Sequence, residues 1–256
     1  MDIFSLIERR RRIRRLASDF RRMNGAIKSD FAIFSHHLGL GDHIICNGIV
    51  RSLCPSFKIL VLPVRPFYEA AVRWMFSDLP NVRTIAVEEQ KDFRRIVEAF
   101  EKAGASSVRA GTHNKQWRDE MLLCFDAAFY ELAGVPFEQR WAAFDVPRDL
   151  DAEEGLFQIA APAEPYIFVH DDARRGFQID ETRLPKNIRR VRPVPGLTDV
   201  PFHYRKVIEG AAEVHCISSS FAHFLECAPS GRPQFLHRYP REDGTWSTWR
   251  NFKVVR

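Results

Sequence analysis

The stretch FAIFSHHLGLGDH, residues 31–43, decides the fold. Residues 31–35 form an almost unbroken apolar run, the pattern of a parallel strand buried on both faces, where a half-exposed strand would alternate. Gly39 and Gly41 interrupt that run, and residues 42–53 then carry apolar side chains at helical spacing. A strand, a glycine turn and a helix in this order open a βαβ unit, so the expected class is α/β.

Working outward, strands are predicted at 58–62, 82–87 and 107–110. Helices are predicted at 66–76, 92–103 and 115–133, the last stopped by Gly134 with Pro136 just beyond. Residues 145–165, rich in Asp, Glu, Ala and Pro, read as a linker between domains. A second half opens with a strand at 166–170 and runs through the Pro-rich residues 184–201 to a helix at 202–211. A strand at 214–217, a helix at 221–226, a short strand at 235–237 and a C-terminal helix at 245–253 complete it. The chain contains no internal repeat. The expected division is a basic helix at 1–29, one Rossmann-like domain at 30–150 and a second at 151–256.

The 256 residues carry 38 Lys and Arg against 33 Asp and Glu, a net +5. That excess resides in the first 30 residues. There Arg9, Arg10, Arg11, Arg12, Arg14, Arg15, Arg21, Arg22 and Lys28 face only Asp2, Glu8, Asp19 and Asp30. A neutral body argues against a broad surface that tracks nucleic-acid phosphates. Within residues 3–27, Ile3, Leu6, Ile7, Ile13, Leu16, Phe20, Met23 and Ile27 recur at mostly helical steps among the arginines. This basic amphipathic helix either lies on an anionic membrane or docks on protein. Five cysteines with no C-x-x-C pair fit neither a disulfide framework nor a zinc site, and no apolar run reaches the roughly 20 residues of a spanning helix. The expected setting is the reducing cytoplasm, with peripheral association at the inner membrane face.

Three strand ends carry candidate chemistry. At the first, Gly39 and Gly41 let backbone N–H groups approach a ligand, and the following helix start favours an anion. The dinucleotide fingerprint G-x-G-x-x-G is broken because Ile44 stands at its third glycine, and no P-loop lysine follows. Asp42 is either an N-cap or a general base at the carboxyl edge of the sheet, where open α/β folds collect ligands. His43 and Asn47 are further candidate contacts. At the second strand end, Ser218, Ser219 and Ser220 place hydroxyls and free N–H groups at a helix start, a cradle suited to a diphosphate, with His223 one turn on. At the third, His170 precedes Asp171, Asp172, Ala173, Arg174 and Arg175, where paired arginines match phosphate oxygens. His36, His37 and His43 have no metal-site spacing, so no metal and no cofactor is expected. Trp246, Trp249 and Phe252 read as core.

Residues 41–45 (GDHII), followed by Gly48 and residues 51–53, resemble the N-terminal Gly-Asp segment of the heptosyltransferase-like glycosyltransferases, family 9 with the GT-B fold. Residues 218–223 (SSSFAH) are similar in spacing to that family's C-terminal Asp-Ser/Thr-Gly-x-x-His segment, with Ser218 in place of Asp and Ser220 in place of Gly. The two matches total about 25 residues, one per predicted half and in the family's order. The resemblance implies two Rossmann-like halves facing a cleft, acceptor on the N-terminal half and nucleotide-sugar donor on the C-terminal half. It makes Asp42 the catalytic base, Ser219, Ser220 and His223 donor contacts, and Arg174 or Arg175 the counter-charge to the diphosphate. The implied function is metal-independent transfer of a sugar from a nucleotide-activated donor to a glycan or lipid-linked acceptor in cell-surface polysaccharide biosynthesis. The alternative is a non-catalytic protein of the same fold that binds a nucleotide or sugar phosphate.

Overall fold

Parallel strands buried on both faces cannot leave backbone groups unpaired, so the apolar runs of this sequence collect into sheets with helices as covers. The computed structural model describes residues 30–88, 90–111, 124–241 and 247–256, and the N-terminal helix expected at 3–27 lies outside them. Two compact units result. Of the described residues, one holds those from 30 to 144 with 247–248, and the other those from 145 to 241 with 249–256.

In the first unit, β1 (Phe31–Ser35) pairs in parallel with β2 (Ile59–Val64) on one side and β4 (Ser106–Arg109) on the other. β3 (Val82–Ala86) adds outside β2, giving the order β3-β2-β1-β4. Ala32, Ile33 and Phe34 are fully buried, which is why the run read so clearly. The helix expected at 42–53 is two helices, α1 (Leu40–Ile45) and α2 (Asn47–Leu53), separated at Cys46, whose ψ of 2° leaves the helical range. α2 lies so close to the chain at Gln139 that a Cβ at Gly48 would sit 2.1 Å from the Gln139 carbonyl oxygen. α3 (Glu69–Met75) follows a 3-10 turn at Pro66–Tyr68, and α4 (Gln90–Lys102) packs Phe93 and Val97 beneath Ile33 and Val61. Of the helix expected at 115–133, residues 115–123 lie outside the described ones, Cys124 is extended at ψ 147° and caps the start of α5 (Phe125–Ala133), and the end at Gly134 is as read. α6 (Gln139–Ala142) closes the unit.

The second unit begins with a correction. Residues 145–165 are not a bare linker, because α7 (Leu150–Ala160) occupies most of them, capped by Asp149, whose carboxylate accepts the Ala152 N–H at 2.9 Å. Its apolar stripe was too thin to show, since Leu156 is buried while Leu150 and Ile159 face solvent. β5 (Tyr166–His170), β6 (Arg189–Val191), α8 (Arg205–Gly210), β7 (Val214–Ile217), α9 (Ser220–Cys227), β8 (Gln234–His237) and β9 (Lys253–Val255) follow. The sheet is parallel throughout, in the order β6-β5-β7-β8-β9.

A second correction concerns the C-terminus. No described residue of the expected helix at 245–253 is helical, and Lys253–Val255 forms an edge strand beside β8. Glu226 accounts for it. Its buried carboxylate accepts the N–H groups of Arg250 at 2.8 Å and Asn251 at 3.1 Å, pinning a bend there just ahead of the strand, while Trp249 stacks on His223. Phe252 is buried as read, Trp249 is only half-buried, and Trp246 lies outside the described residues.

Candidate active site

Each sheet changes the direction of its strand order once, between β1 and β4 and between β5 and β7. Crevices at the carboxyl edges of such switch points are where open α/β sheets bind ligands.

In the first unit the edge runs from Ser35 to Asp42. Asp42 is half-buried, and its carboxylate accepts the Gly39 N–H at 3.2 Å while its own N–H donates to the Gly39 carbonyl at 3.1 Å. A Cβ at position 39 would lie 2.7 Å from that carboxylate oxygen, so a larger residue there would push the Asp42 side chain aside. Gly41 is half-buried in the first turn of α1. His43 faces the core, its ring edge-on to His36 at 4.3 Å, and burial holds His36 down to about 3 and His43 well below its ordinary value. Asn47 is also fully buried and accepts Arg51 Nε at 3.2 Å, and Arg51 in turn clamps Asp78 with bonds of 2.7 and 2.9 Å. His43 and Asn47 therefore support the turn from within.

An open concavity of about 800 Å³ adjoins this turn, lined by His37, Leu38, Gly39, Arg65, Phe67, Glu88 and their neighbours. Phe67 is 82% exposed and meets Tyr68 edge to face at 5.3 Å, and Arg65 bonds the Glu88 carbonyl. Sequence reasoning missed this surface. The available signal was Pro66, Phe67 and Tyr68 directly after a buried strand, at the ligand-collecting edge.

In the second unit the edge gathers residues far apart in the chain, from His170 to Arg241. His170 ends β5, and its Nδ1 lies 2.9 Å from the Ser219 hydroxyl at the start of α9. Ser219 caps that helix, its oxygen accepting the Ala222 N–H at 3.4 Å, with Ser218 and Ser220 beside it, all three half-buried. Arg175 pairs with Asp172 at 2.5 Å, and Arg174 is exposed. Arg241, absent from the sequence reading, donates to the Ser218 carbonyl at 2.6 Å. The guanidinium groups of Arg175 and Arg241 each lie 5.6 Å from the Phe177 ring, so two cations gather beside the serine turn. His223 is buried and stacks on Trp249 at 5.0 Å, one turn past the cap.

A buried polar chain steadies this edge. His215 bonds Glu213 at 3.1 Å and His237 at 3.0 Å, His237 reaches the Tyr239 hydroxyl at 3.2 Å, and that oxygen accepts the Asp180 N–H at 2.9 Å. One direction of donation, from Tyr239 through His237 and His215 to Glu213, satisfies every member with both imidazoles neutral. Burial, reinforced by His215 and Arg183, lowers His237 to about 4, and burial lowers His170 to about 4. The unfolded chain takes up these protons near pH 6.5, and the folded chain refuses them until far lower pH. Stability is complete above pH 6.5 and is lost as pH falls through the window down to 4. Urea unfolding is expected to lose more than about 2 kcal/mol between pH 7 and 4.5. A flat profile over that range contradicts neutral, buried imidazoles.

No protein-family model matches this sequence, and no characterised protein matches it by sequence. Solved structures do match. The E. coli ADP-heptose lipopolysaccharide heptosyltransferase II shares 12% identity over 88% of this chain and 90% of its own, with a TM-score of 0.52. The E. coli heptosyltransferase WaaC with ADP-2-deoxy-2-fluoro heptose shares 14% over 88% and 92%, with a TM-score of 0.46. The fold is the α/β fold of the heptosyltransferases, as the two short motifs implied, carried by two parallel sheets. Among the described residues no group of His, Cys, Asp and Glu is placed to hold a metal ion, and no helix is long and apolar enough to cross a membrane.

Proposed function

We propose that this chain is a glycosyltransferase that moves a sugar from a nucleoside-diphosphate donor to a hydroxyl of a glycan or lipid-linked acceptor. One observation carries the proposal. Two parallel sheets each end, at the switch point, in a turn that starts a helix, and one turn bears a carboxylate while the other bears hydroxyls flanked by guanidinium groups. The first chemistry suits a base and the second suits a diphosphate. The likeness in fold to an ADP-heptose heptosyltransferase supports ADP as the nucleotide of the donor.

In this reading Asp42 takes the proton of the acceptor hydroxyl as its oxygen attacks the anomeric carbon, and the bond from that carbon to the diphosphate oxygen breaks. Charge growing on the departing diphosphate is met by N–H groups at residues 218–220, by Arg174 and Arg175, and by Arg241. The scheme draws on protein groups alone and uses no divalent ion. Gly39, Gly41 and the Phe67 concavity form the acceptor side, His43 and Asn47 hold it from behind, and His223 does the same for the donor side. The basic stretch at 3–27 holds the enzyme on an anionic membrane surface beside a lipid-linked acceptor. The test is Asp42→Asn, assayed separately for sugar transfer and for nucleotide binding.

A further inference from the structure

Ser219 does two things at once. Its oxygen accepts the Ala222 N–H, and His170 Nδ1 lies 2.9 Å away. With one lone pair of that oxygen taken up by the Ala222 N–H, the hydroxyl proton can point at the ring, the arrangement in which Nδ1 accepts and the ring proton sits on Nε2. Phe221 covers the ring at 4.5 Å between centroids, and Asp172 and Arg175 lie near enough to pull its charge in opposite directions. Burial outweighs both, so the ring is neutral at pH 7. Nε2 is not sealed from solvent and makes no hydrogen bond to a described residue. A neutral N–H donor therefore stands at the β5 edge next to the serine turn and the two guanidinium groups.

We propose that Ser219 locks His170 as the Nε2–H tautomer, and that His170 donates this hydrogen bond to a diphosphate oxygen of the donor. The contact adds direction where the arginines supply charge, and it rests on the glycosyltransferase reading for the identity of the anion. A hydrogen bond to a charged partner is worth about 1.5–3 kcal/mol, roughly 10- to 100-fold in affinity.

The experiment titrates the full chain calorimetrically with ADP and with inorganic pyrophosphate, for wild type, His170→Ala and His170→Gln. It also records the ring-nitrogen NMR spectrum of wild type and Ser219→Ala. His170→Ala is expected to weaken both ligands at least tenfold, and His170→Gln, whose amide N–H reaches the place of Nε2–H, to stay within about threefold of wild type. The wild-type spectrum is expected to show the Nε2–H form, mixed with Nδ1–H in Ser219→Ala. A folded His170→Ala that binds ADP within twofold of wild type overturns the contact and leaves the donor reading standing. An Nδ1–H form in wild type overturns the lock. If wild type binds neither ligand, the contact and the donor reading fall together.

Discussion

Replacing Asp42 by Asn is expected to lower the rate of sugar transfer at least 100-fold while donor affinity stays within about threefold. A positioned general base contributes roughly 10²–10⁴ in rate, and Asn cannot take the proton of the acceptor hydroxyl. The substitution isolates that role because it spares the architecture. Asn keeps an oxygen able to accept the Gly39 N–H that Asp42, at the third position of α1 with Gly39 as the N-cap, now holds at 3.2 Å. What is lost besides basicity is the attraction of a negative charge to a helix start, about 0.3–1 kcal/mol. The proposed donor contacts lie on the other sheet and are left intact. Unchanged turnover in Asp42→Asn removes this carboxylate from the mechanism and leaves it a cap.

The largest loss of stability is expected at Arg140→Met. Arg140 and Asp126 are both completely buried and form an ion pair in the first unit. Each also bonds the returning chain at Thr248, Arg140 to its carbonyl at 3.1 Å and Asp126 to its N–H at 2.8 Å. Removing the cation strands a carboxylate away from water, which typically costs 3–5 kcal/mol. For a protein of this size that lowers the melting temperature by roughly 6–20 °C. The double variant Asp126→Leu with Arg140→Met buries no charge and is expected to regain part of the loss. A melting temperature within 2 °C of wild type for Arg140→Met contradicts the pairing.

The two sheets were legible in the sequence because their central strands are buried on both faces. Ala32 to Phe34 and Ile167 to Val169 are continuous apolar runs for that reason, and the buried strand at 214–217 is broken only by His215. Elements held by polar contacts gave no such signal. α7 buries little beyond Glu153 and Leu156, and β9 depends on the Glu226 carboxylate reaching the backbone of Arg250 and Asn251. At the site, the motifs located both turns but not the direction of each side chain. Asp42 opens the first turn of α1 and stays half-exposed, whereas His43, about 100° further round, enters the core against His36. Arg241 escaped notice because nothing in its own neighbourhood marks it, and Phe67 because its one signal, an aromatic pair directly after a buried strand, also fits the start of a helix. They matter through the edges to which the fold brings them.

If this chain consumes a sugar nucleotide, nucleoside diphosphate must be released as product forms. Wild type is incubated with ADP-, UDP- and GDP-sugars and a bacterial cell-surface glycan, with and without a chelator. One donor is expected to be consumed, its nucleoside diphosphate appearing in step with glycosylated product at the same rate in both conditions. Tight binding of a nucleoside diphosphate with no donor consumed would contradict catalysis and leave a protein that only binds.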